Sequence, residues 1–483
     1  FDGYKQRRPQ DSLLYKIVQE NVYTFFAVAE SDGRYLPKRV KTELEKFLEC
    51  GVLAYGFMRV VCETCDKETL VPFSCKKRGF CPSCCGRRMS EVAIHLTDNV
   101  IPDVPVRQYV LSLPIALRYW CASNPKLLSE VHRIARDAVA EYVMAKSDRD
   151  DGEPGILTFV QRFGSALNLN IHFHMIVVEG VFVEKSTGRV KFYDILSPTD
   201  GEICDLVTHI SNKMIKLLRK RGYLDEEGFA SSELPEDKLL EDNPVQAHAM
   251  AASAQLKIGL GPNAGKSVRR IGNGFGHESE DAELTASKCA QAHGFSMHAN
   301  VFIDKGNRDK LERLIKYTAR PPLKSESLAI NQSGDVVLKL KKQWNDGSTH
   351  VVYSPIEFLE KLVALIPPYR SHLLRYSGVF SPHSKLRSRV IPQPAIEVVA
   401  NADDKPQDVP KPKIKSGRIP WSRLLRRCFK IDIEVCPHCN GKTRVVAALF
   451  SRSEVSRFLT HMGLDASPPK RFATRMPTLF SVD

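Results

Sequence analysis

Residues 167–180, Leu167-Asn168-Leu169-Asn170-Ile171-His172-Phe173-His174-Met175-Ile176-Val177-Val178-Glu179-Gly180, constrain the fold more than any other stretch. A strand sends alternate side chains to opposite faces. Ile171, Phe173, Met175 and Val177 then make one face, suited to a core, and Asn170, His172, His174 and Ile176 make the other. Two imidazoles project side by side from a stiff, β-branched backbone. Such a pair can fix a metal with two ligands and leave its other positions open for chemistry. Two ordinary histidines on a half-buried strand would carry the same letters, so the rest of the chain has to decide.

The neighbouring segments supply partners for that strand. Gly155–Phe163 reads as the preceding strand and its antiparallel partner. Gln161 is polar amid Phe159, Val160 and Phe163; it can reach the same metal or serve as a hydrogen-bonding edge residue. Val106–Leu113 alternates and stops at Pro114. Pro125–Ala145 has helical spacing, with Leu127, Leu128, Val131, Ile134, Ala138 and Val139 inward. Short strand material at 181–195, a helix at Ile203–Arg221 and an acidic, turn-rich surface insertion at 222–243 follow. Gly294–Ile303 is a further strand bearing His298. Helices and strands mix without a regular βα repeat, so the expected class is α+β with an antiparallel sheet.

Ahead of this core, residues 11–48 read as two packing helices broken at Ser31-Asp32-Gly33, and then comes a cysteine cluster. Of 13 cysteines, Cys50, Cys62, Cys65, Cys75, Cys81, Cys84 and Cys85 crowd one short region. The chain begins at Phe1, and Phe1–Arg8 has no apolar segment behind it of the kind a secretory leader needs. A reducing compartment is therefore expected, where clustered thiols mean a metal rather than disulfides. Cys62-Glu63-Thr64-Cys65 and Cys81-Pro82-Ser83-Cys84 are two Cys-x-x-Cys knuckles, each with two thiolates on one tight turn. Together they are expected to complete one tetrahedral zinc site, with Cys75 and Cys85 as sulfurs that can substitute. Lys76, Lys77 and Arg78 lie between the knuckles and Arg87-Arg88 follow, a rim suited to a nucleic-acid backbone or simply a solvated surface.

The formal charge of +14, from 70 Lys+Arg against 56 Asp+Glu, favours a polyanionic partner. No stretch approaches the unbroken apolar run of a membrane helix. Leu260–Ser267 looks like a phosphate loop, but three residues lie between Gly261 and Gly265-Lys266-Ser267 and five between Gly259 and it, where four are needed. No nucleoside triphosphate site is expected.

Further along, Asn307–Arg320 reads as a short helix capped near Asn307 and stopped by Pro321-Pro322. Leu311, Leu314, Ile315 and Thr318 form its inward stripe. Tyr317 sits just outside that stripe beside Lys310 and Arg313. It is either a phenol arranged to meet a phosphate or an amphipathic tyrosine at a core margin. A hairpin is expected at 334–353, turning at Asn345-Asp346-Gly347, then a helix at Pro355–Ile366 and a basic stretch, His372–Gly378, with Tyr376. Residues 391–417 are Pro/Lys/Asp-rich, as in a linker. The tail refolds from about Ile419 with Trp421, Leu424, Leu425 and Phe429 at helical spacing. Its single knuckle, Cys436-Pro437-His438-Cys439, is half a zinc site that Cys428, His438 or His461 could complete, or it is empty.

These motifs in this order resemble the HUH single-strand transposases of the insertion-sequence-ninety-one family, especially the common-region branch. The resemblance runs over nearly the whole chain: Phe73 to Cys84, Arg162-Phe163-Gly164-Ser165 through His174, Lys316-Tyr317-Thr318-Ala319-Arg320-Pro321-Pro322, Trp421 to Arg427 and Cys436 to Gly441. It implies that His172 and His174 bind Mg²⁺ or Mn²⁺, with Gln161 as third ligand by strand position. Tyr317 would attack phosphorus and form a 5′-phosphotyrosine. Cys62, Cys65, Cys81 and Cys84 would hold structural zinc. Lys76, Lys77, Arg78, Arg87, Arg88, Arg162, Arg313, Lys316 and Arg320 would grip single-stranded DNA ends of a mobile element in the bacterial cytoplasm, at the nucleoid. Many relatives carry a second tyrosine four residues on, where this chain has Pro321.

The resulting expectation is an HUH nuclease core at 101–325 behind an N-terminal helical and zinc-ribbon region, 1–100. An extension, 326–390, a linker, 391–418, and a small C-terminal domain, 419–483, complete it. A non-catalytic zinc-ribbon DNA-binding protein would explain the charge and the cysteines, but not the histidine pair or Tyr317. A metallohydrolase would need further His and Asp ligands at later strand ends.

Overall fold

A computed structural model describes residues 7–31, 35–272, 287–368, 371–392, 422, 426–427 and 433–474. It opens with helices α1 (Leu13–Glu30) and α2 (Lys38–Glu49), the hairpin β1 (Phe57–Cys62) and β2 (Glu68–Pro72), and α3 (Pro82–Asn99). Pro82 occupies the first turn of α3, where its missing N–H goes unused. Next come β3 (Val106–Ser112), α4 (Ile115–Ser123), α5 (Pro125–Ser147), β4 (Gly155–Phe163), β5 (Leu169–Val178), β6 (Gly180–Glu184) and β7 (Val190–Asp194). The middle continues with α6 (Asp200–Lys220), α7 (Lys238–Asp242), α8 (Pro244–Ala254), β8 (Arg269–Gly272), β9 (Cys289–Ala292), β10 (Phe295–Ile303) and α9 (Arg308–Thr318). The last part has β11 (Leu328–Ile330), β12 (Val336–Lys339), β13 (Ser348–Tyr353), α10 (Pro355–Leu365), β14 (Leu374–Gly378), α11 (Arg387–Val390), β15 (Thr443–Leu449) and α12 (Arg452–His461).

The fold is α+β, organised around a six-stranded antiparallel sheet in the order β14-β4-β5-β3-β10-β9. The histidine strand β5 lies inside it, between β4 and β3. One face carries Ile171, Phe173, Met175 and Val177 into the main core, with Leu127 and Val131 of α5, Val245 and Met250 of α8, and Leu359 and Val363 of α10. The other face is not simply exposed. Ile176 and Val178 of β5 with Leu157 and Phe159 of β4 form a second, smaller core under Ala93 and Leu96 of α3 and Leu311, Leu314 and Ile315 of α9. That apolar floor gives way to polar side chains at His174, His172 and Gln161. Helix α9 is thus held on the sheet by its leucine stripe, and its last turn arrives at the histidine pair.

Segment 326–390, expected as an extension of the catalytic domain, contributes β14 to the sheet, paired with β4, Leu374 opposite Phe159 and Tyr376 opposite Leu157. The C-terminal segment, expected as a small domain of its own, pairs its β15 with β1 from Phe57↔Leu449 to Cys62↔Thr443 in a sheet ordered β15-β1-β2. Val455 and Leu459 of α12 close a third core with Leu53, Phe57 and Leu70. Such pairings between distant segments leave little local trace in sequence. Asp32-Gly33, residues 393–418 of the expected linker, and Trp421, Leu424, Leu425, Cys428 and Phe429 lie outside the described residues. No helix among the described residues is long and apolar enough to cross a membrane.

Candidate tyrosine and metal site

The sheet presents His172 and His174 on one face with ring centroids 4.9 Å apart. Nδ1 of His172 donates to the Asn170 carbonyl at 2.8 Å, which leaves its Nε2 lone pair open. Gln108 on β3 reaches Nδ1 of His174 at 3.1 Å. Burial, with the charges of Arg320 and Arg118 acting the same way, pushes His172 down to about 4. Burial, then His172, Arg320 and Lys341, pushes His174 down to about 3. Both rings are therefore neutral near pH 7, the form that ligates metals.

Gln161 sits directly opposite His172 in the β4–β5 ladder. Its Nε2 donates to the Thr318 carbonyl at 2.8 Å, tying the sheet to the end of α9. Its Oε1 is buried with no hydrogen-bond partner. A buried carbonyl oxygen left orphaned is costly unless something fills the place. One hard oxygen beside two neutral imidazoles fits a divalent cation.

Tyr317, in the last turn of α9, is 41% exposed. Its ring stands edge-on to His174, with centroids 6.3 Å apart and planes at 87°. Lys341 donates to its Oη at 2.8 Å. The Arg320 guanidinium lies 4.9 Å from the ring centroid. Burial raises the phenol, but the Lys341 hydrogen bond and the charges of Arg320, Lys341 and Lys342 outweigh it and leave Tyr317 below the ordinary tyrosine value. Two of the cations on its own helix have other partners. Lys316 pairs with Glu312 at 2.8 Å, and Arg313 donates to the Asp309 carbonyl at 3.2 Å. Lys341 and Lys342 follow β12, and the only sequence signal for them is the cationic run Lys339-Leu340-Lys341-Lys342. Tyr376 is half-buried on β14 and burial raises it against the charge of Arg387.

The basic residues divide. Arg162 is 5% exposed, and its Nε and one terminal nitrogen have no partner. Burial lowers it to about 10, beside Arg39 and Cys121. It falls where the β4–β5 register shifts, between Gln161 and Phe163, and it is inside the protein rather than on a nucleic-acid surface. Arg320 lies over the rings of Tyr317 and Phe163. Lys76 and Arg78 are exposed and Lys77 is half-buried on the loop before α3. Arg87 and Arg88 follow on α3, Arg87 pairing with Glu91 at 2.8 Å.

The cysteines regroup. The two knuckles, expected to share one zinc, are apart. Cys81 and Cys84 cluster with Cys50 and Cys75, while Cys62 and Cys65 cluster with Cys436 and Cys439. The reason is the hairpin. Cys62-x-x-Cys65 forms its tip, and the five residues of β2 carry the chain roughly 17 Å away at ~3.4 Å per residue. In the first cluster Cys75 Sγ is 3.4 Å from Cys84 Sγ, and Cys50 Sγ is 3.7 Å from both Cys81 and Cys84. Cys75 is thus a member, as its expected reserve role allowed. Cys85 is not, its thiol facing the Gly79 carbonyl at 4.0 Å. Cys50 is a member without a sequence signal, because it belongs to no knuckle. Four converging thiols suit a closed, structural zinc site.

Comparison with known proteins agrees with this geometry. A family described as "Putative transposase" matches residues 155–388, which span β4, β5, α9 and β14. The zinc-binding domain of transposases of the IS91 type matches residues 18–113, which contain Cys50, Cys75, Cys81 and Cys84. A relative from Pseudomonas savastanoi pv. phaseolicola, "Transposase for insertion sequence element IS801", is 28% identical over 146 residues. That stretch is 30% of this chain and only 34% of the relative. No solved structure matches. With both domains matched in order around the histidine strand and the tyrosine helix, the chain belongs to the transposase family of the insertion-sequence-ninety-one type.

Proposed function

We propose that the protein is a DNA-cleaving transposase of the HUH type, which nicks and rejoins single-stranded ends through Tyr317 in rolling-circle-type transposition. The observation that carries this reading is the Tyr317 phenol, hydrogen-bonded by Lys341 and edge-on to His174. Tyr317 Oη attacks the scissile phosphorus in line with the departing 3′ oxygen. The P–O3′ bond breaks, a 5′-phosphotyrosine forms, and the 3′ oxygen takes a proton from solvent. The covalent bond conserves the phosphodiester energy, so a 3′-hydroxyl can attack it later, release Tyr317 and rejoin the strand without ATP. Lys341 and Arg320 favour the phenolate beforehand and offset phosphate charge afterwards. His172, His174 and Gln161 Oε1 would hold Mg²⁺ or Mn²⁺, which would supply Lewis-acid polarisation of the phosphate. The residue four after Tyr317 is Pro321, so the scheme has one nucleophile. The surplus charge of +14, with Lys76, Lys77, Arg78, Arg87, Arg88 and Arg320 contributing, supplies backbone affinity.

The test is mass spectrometry of the protein after incubation with single-stranded oligonucleotides from element ends and Mg²⁺. The expected product is a 5′-phosphotyrosyl peptide containing Tyr317, absent in Tyr317→Phe and present in Tyr376→Phe. An adduct at Tyr376, or an unmodified protein that only binds DNA, would replace this reading with another nucleophile or with a non-catalytic DNA-binding role.

A further inference from the structure

We propose that Cys62, Cys65, Cys436 and Cys439 form a second zinc site, a clasp that fastens the C-terminal segment to the N-terminal hairpin. Its four Sγ atoms all lie within 4.8 Å of one another. Across the junction Cys62 Sγ is 3.4 Å from Cys439 Sγ and Cys65 Sγ is 3.7 Å from Cys436 Sγ.

The two half-sites are the same device built twice. After Cys65, Asp66 takes a left-handed φ of 53°, and after Cys439, Asn440 takes 58°. The Cys62 N–H donates to the Lys67 carbonyl at 3.0 Å and the Asp66 N–H to the Cys62 carbonyl at 3.1 Å. In the second turn the Cys436 N–H donates to the Gly441 carbonyl at 2.8 Å and the Asn440 N–H to the Cys436 carbonyl at 2.9 Å. In the first turn the Thr64 N–H approaches Cys62 Sγ at 3.4 Å, and in the second the Gly441 N–H approaches Cys439 Sγ at 3.4 Å. Donors aimed at sulfur favour thiolate, the form a metal takes. The turns also touch. The Glu63 N–H donates to the Lys442 carbonyl at 2.9 Å. A Cβ at position 441 would lie 2.7 Å from the Thr64 Cβ, so only glycine lets the knuckles close.

Four sulfurs with no open position match structural zinc rather than a catalytic ion. The site sits at the end of the β15-β1-β2 sheet, not on the histidine sheet, and involves a segment beyond residues 18–113, so it is additional to the Cys50/Cys75/Cys81/Cys84 site. Apart from the cysteines, 433–474 is held by a short three-stranded sheet, a small core, the stack of Phe73 on Phe450 at 4.6 Å and a hydrogen bond from Gln19 Nε2 to the Lys470 carbonyl at 2.7 Å. Zinc binding free energy then becomes docking energy for the tail.

The test uses the full chain purified in reductant. Metal analysis is expected to give two zinc ions per chain, one per cluster, falling to one in Cys436→Ser/Cys439→Ser. Because misfolding could also cost metal, the native protein is treated with a thiol alkylator before and after a strong chelator. Cys439 is exposed, so burial cannot shield it. Its protection before chelation, and labelling together with Cys62, Cys65 and Cys436 afterwards, is the expected result. One zinc per wild-type chain, immediate labelling of Cys439, or protection reversed by reductant alone, which means disulfides, would each overturn the proposal.

Discussion

The side-chain nitrogen of Gln161 donates to the backbone carbonyl of Thr318 at 2.8 Å, joining the histidine sheet to the residue after Tyr317. That bond fixes the Gln161 amide, whose oxygen is buried without a partner on the residue opposite His172, and it ties the last turn of α9 to the sheet. One side chain therefore links the strand that carries the histidine pair to the helix that carries Tyr317.

Gln161→Ala removes both the link and the oxygen. Adduct formation at Tyr317 is expected to fall about 10–100-fold, the usual cost of losing a group that supports a metal site. The deficit should shrink as Mg²⁺ is raised, and zinc content should stay unchanged. Wild-type adduct rates across the whole Mg²⁺ series would remove Gln161 from the site.

Lys341→Met takes away the cation bonded to the Tyr317 oxygen while keeping a side chain of similar length. The folded phenol lies below its ordinary value partly because of Lys341, so the substitution raises it. Fewer phenolates then exist at neutral pH. The expected result is roughly tenfold slower adduct formation at pH 7, recovering at higher pH. A pH–rate profile that drops without moving would assign Lys341 to DNA contact instead.

Cys75→Ser should release the zinc of the first cluster and destabilise α2 and α3, whereas Cys85→Ser should do neither. Cys75 is within 3.4 Å of Cys84, and Cys85 is turned to a backbone carbonyl. Zinc analysis with thermal melting distinguishes the pair, and equal loss in both variants would contradict the ligand set.

His132 on α5 packs edge-on against Phe173, centroids 5.5 Å apart, and its Nε2 has no partner. Burial, then Arg375 and Arg136, depresses it to about 3. The unfolded chain takes up this proton near pH 6.5, while the folded one refuses it until far lower. Stability is therefore full above pH 6.5 and is lost as pH falls toward 3, by about 1.4 kcal/mol per pH unit for each such histidine. His132→Leu should flatten the dependence of urea midpoint on pH between 6.5 and 4 by about one proton's worth. An unchanged slope would place the acid sensitivity elsewhere, with His172 and His174 the next candidates.

The sequence by itself determined the pieces whose physics is local. Period-two alternation was enough to read the histidine strand and to pair it with Gly155–Phe163, because strand faces follow from backbone geometry alone. The leucine stripe and the two prolines delimited the tyrosine helix for the same reason. Antiparallel pairing brought Gln161 within reach of the histidines, and the ladder register that sets it opposite His172 came from the folded sheet. Tertiary structure decided everything that depended on distant segments meeting. Two Cys-x-x-Cys motifs close in sequence parted, because β2 carries the chain away from the hairpin tip, and each found other partners: Cys50 with the reserve sulfur Cys75 for one, the distant Cys436 and Cys439 for the other. Of the cations on Tyr317, Arg320 follows its own helix, but Lys341 and Lys342 came from beyond β12, while Glu312 and the Asp309 carbonyl engage Lys316 and Arg313. Arg162, a charged residue by its letter, turned inward at a register shift. A chain spells out its local periodicity, but a contact made across 371 residues is specified only by the folded arrangement of everything between.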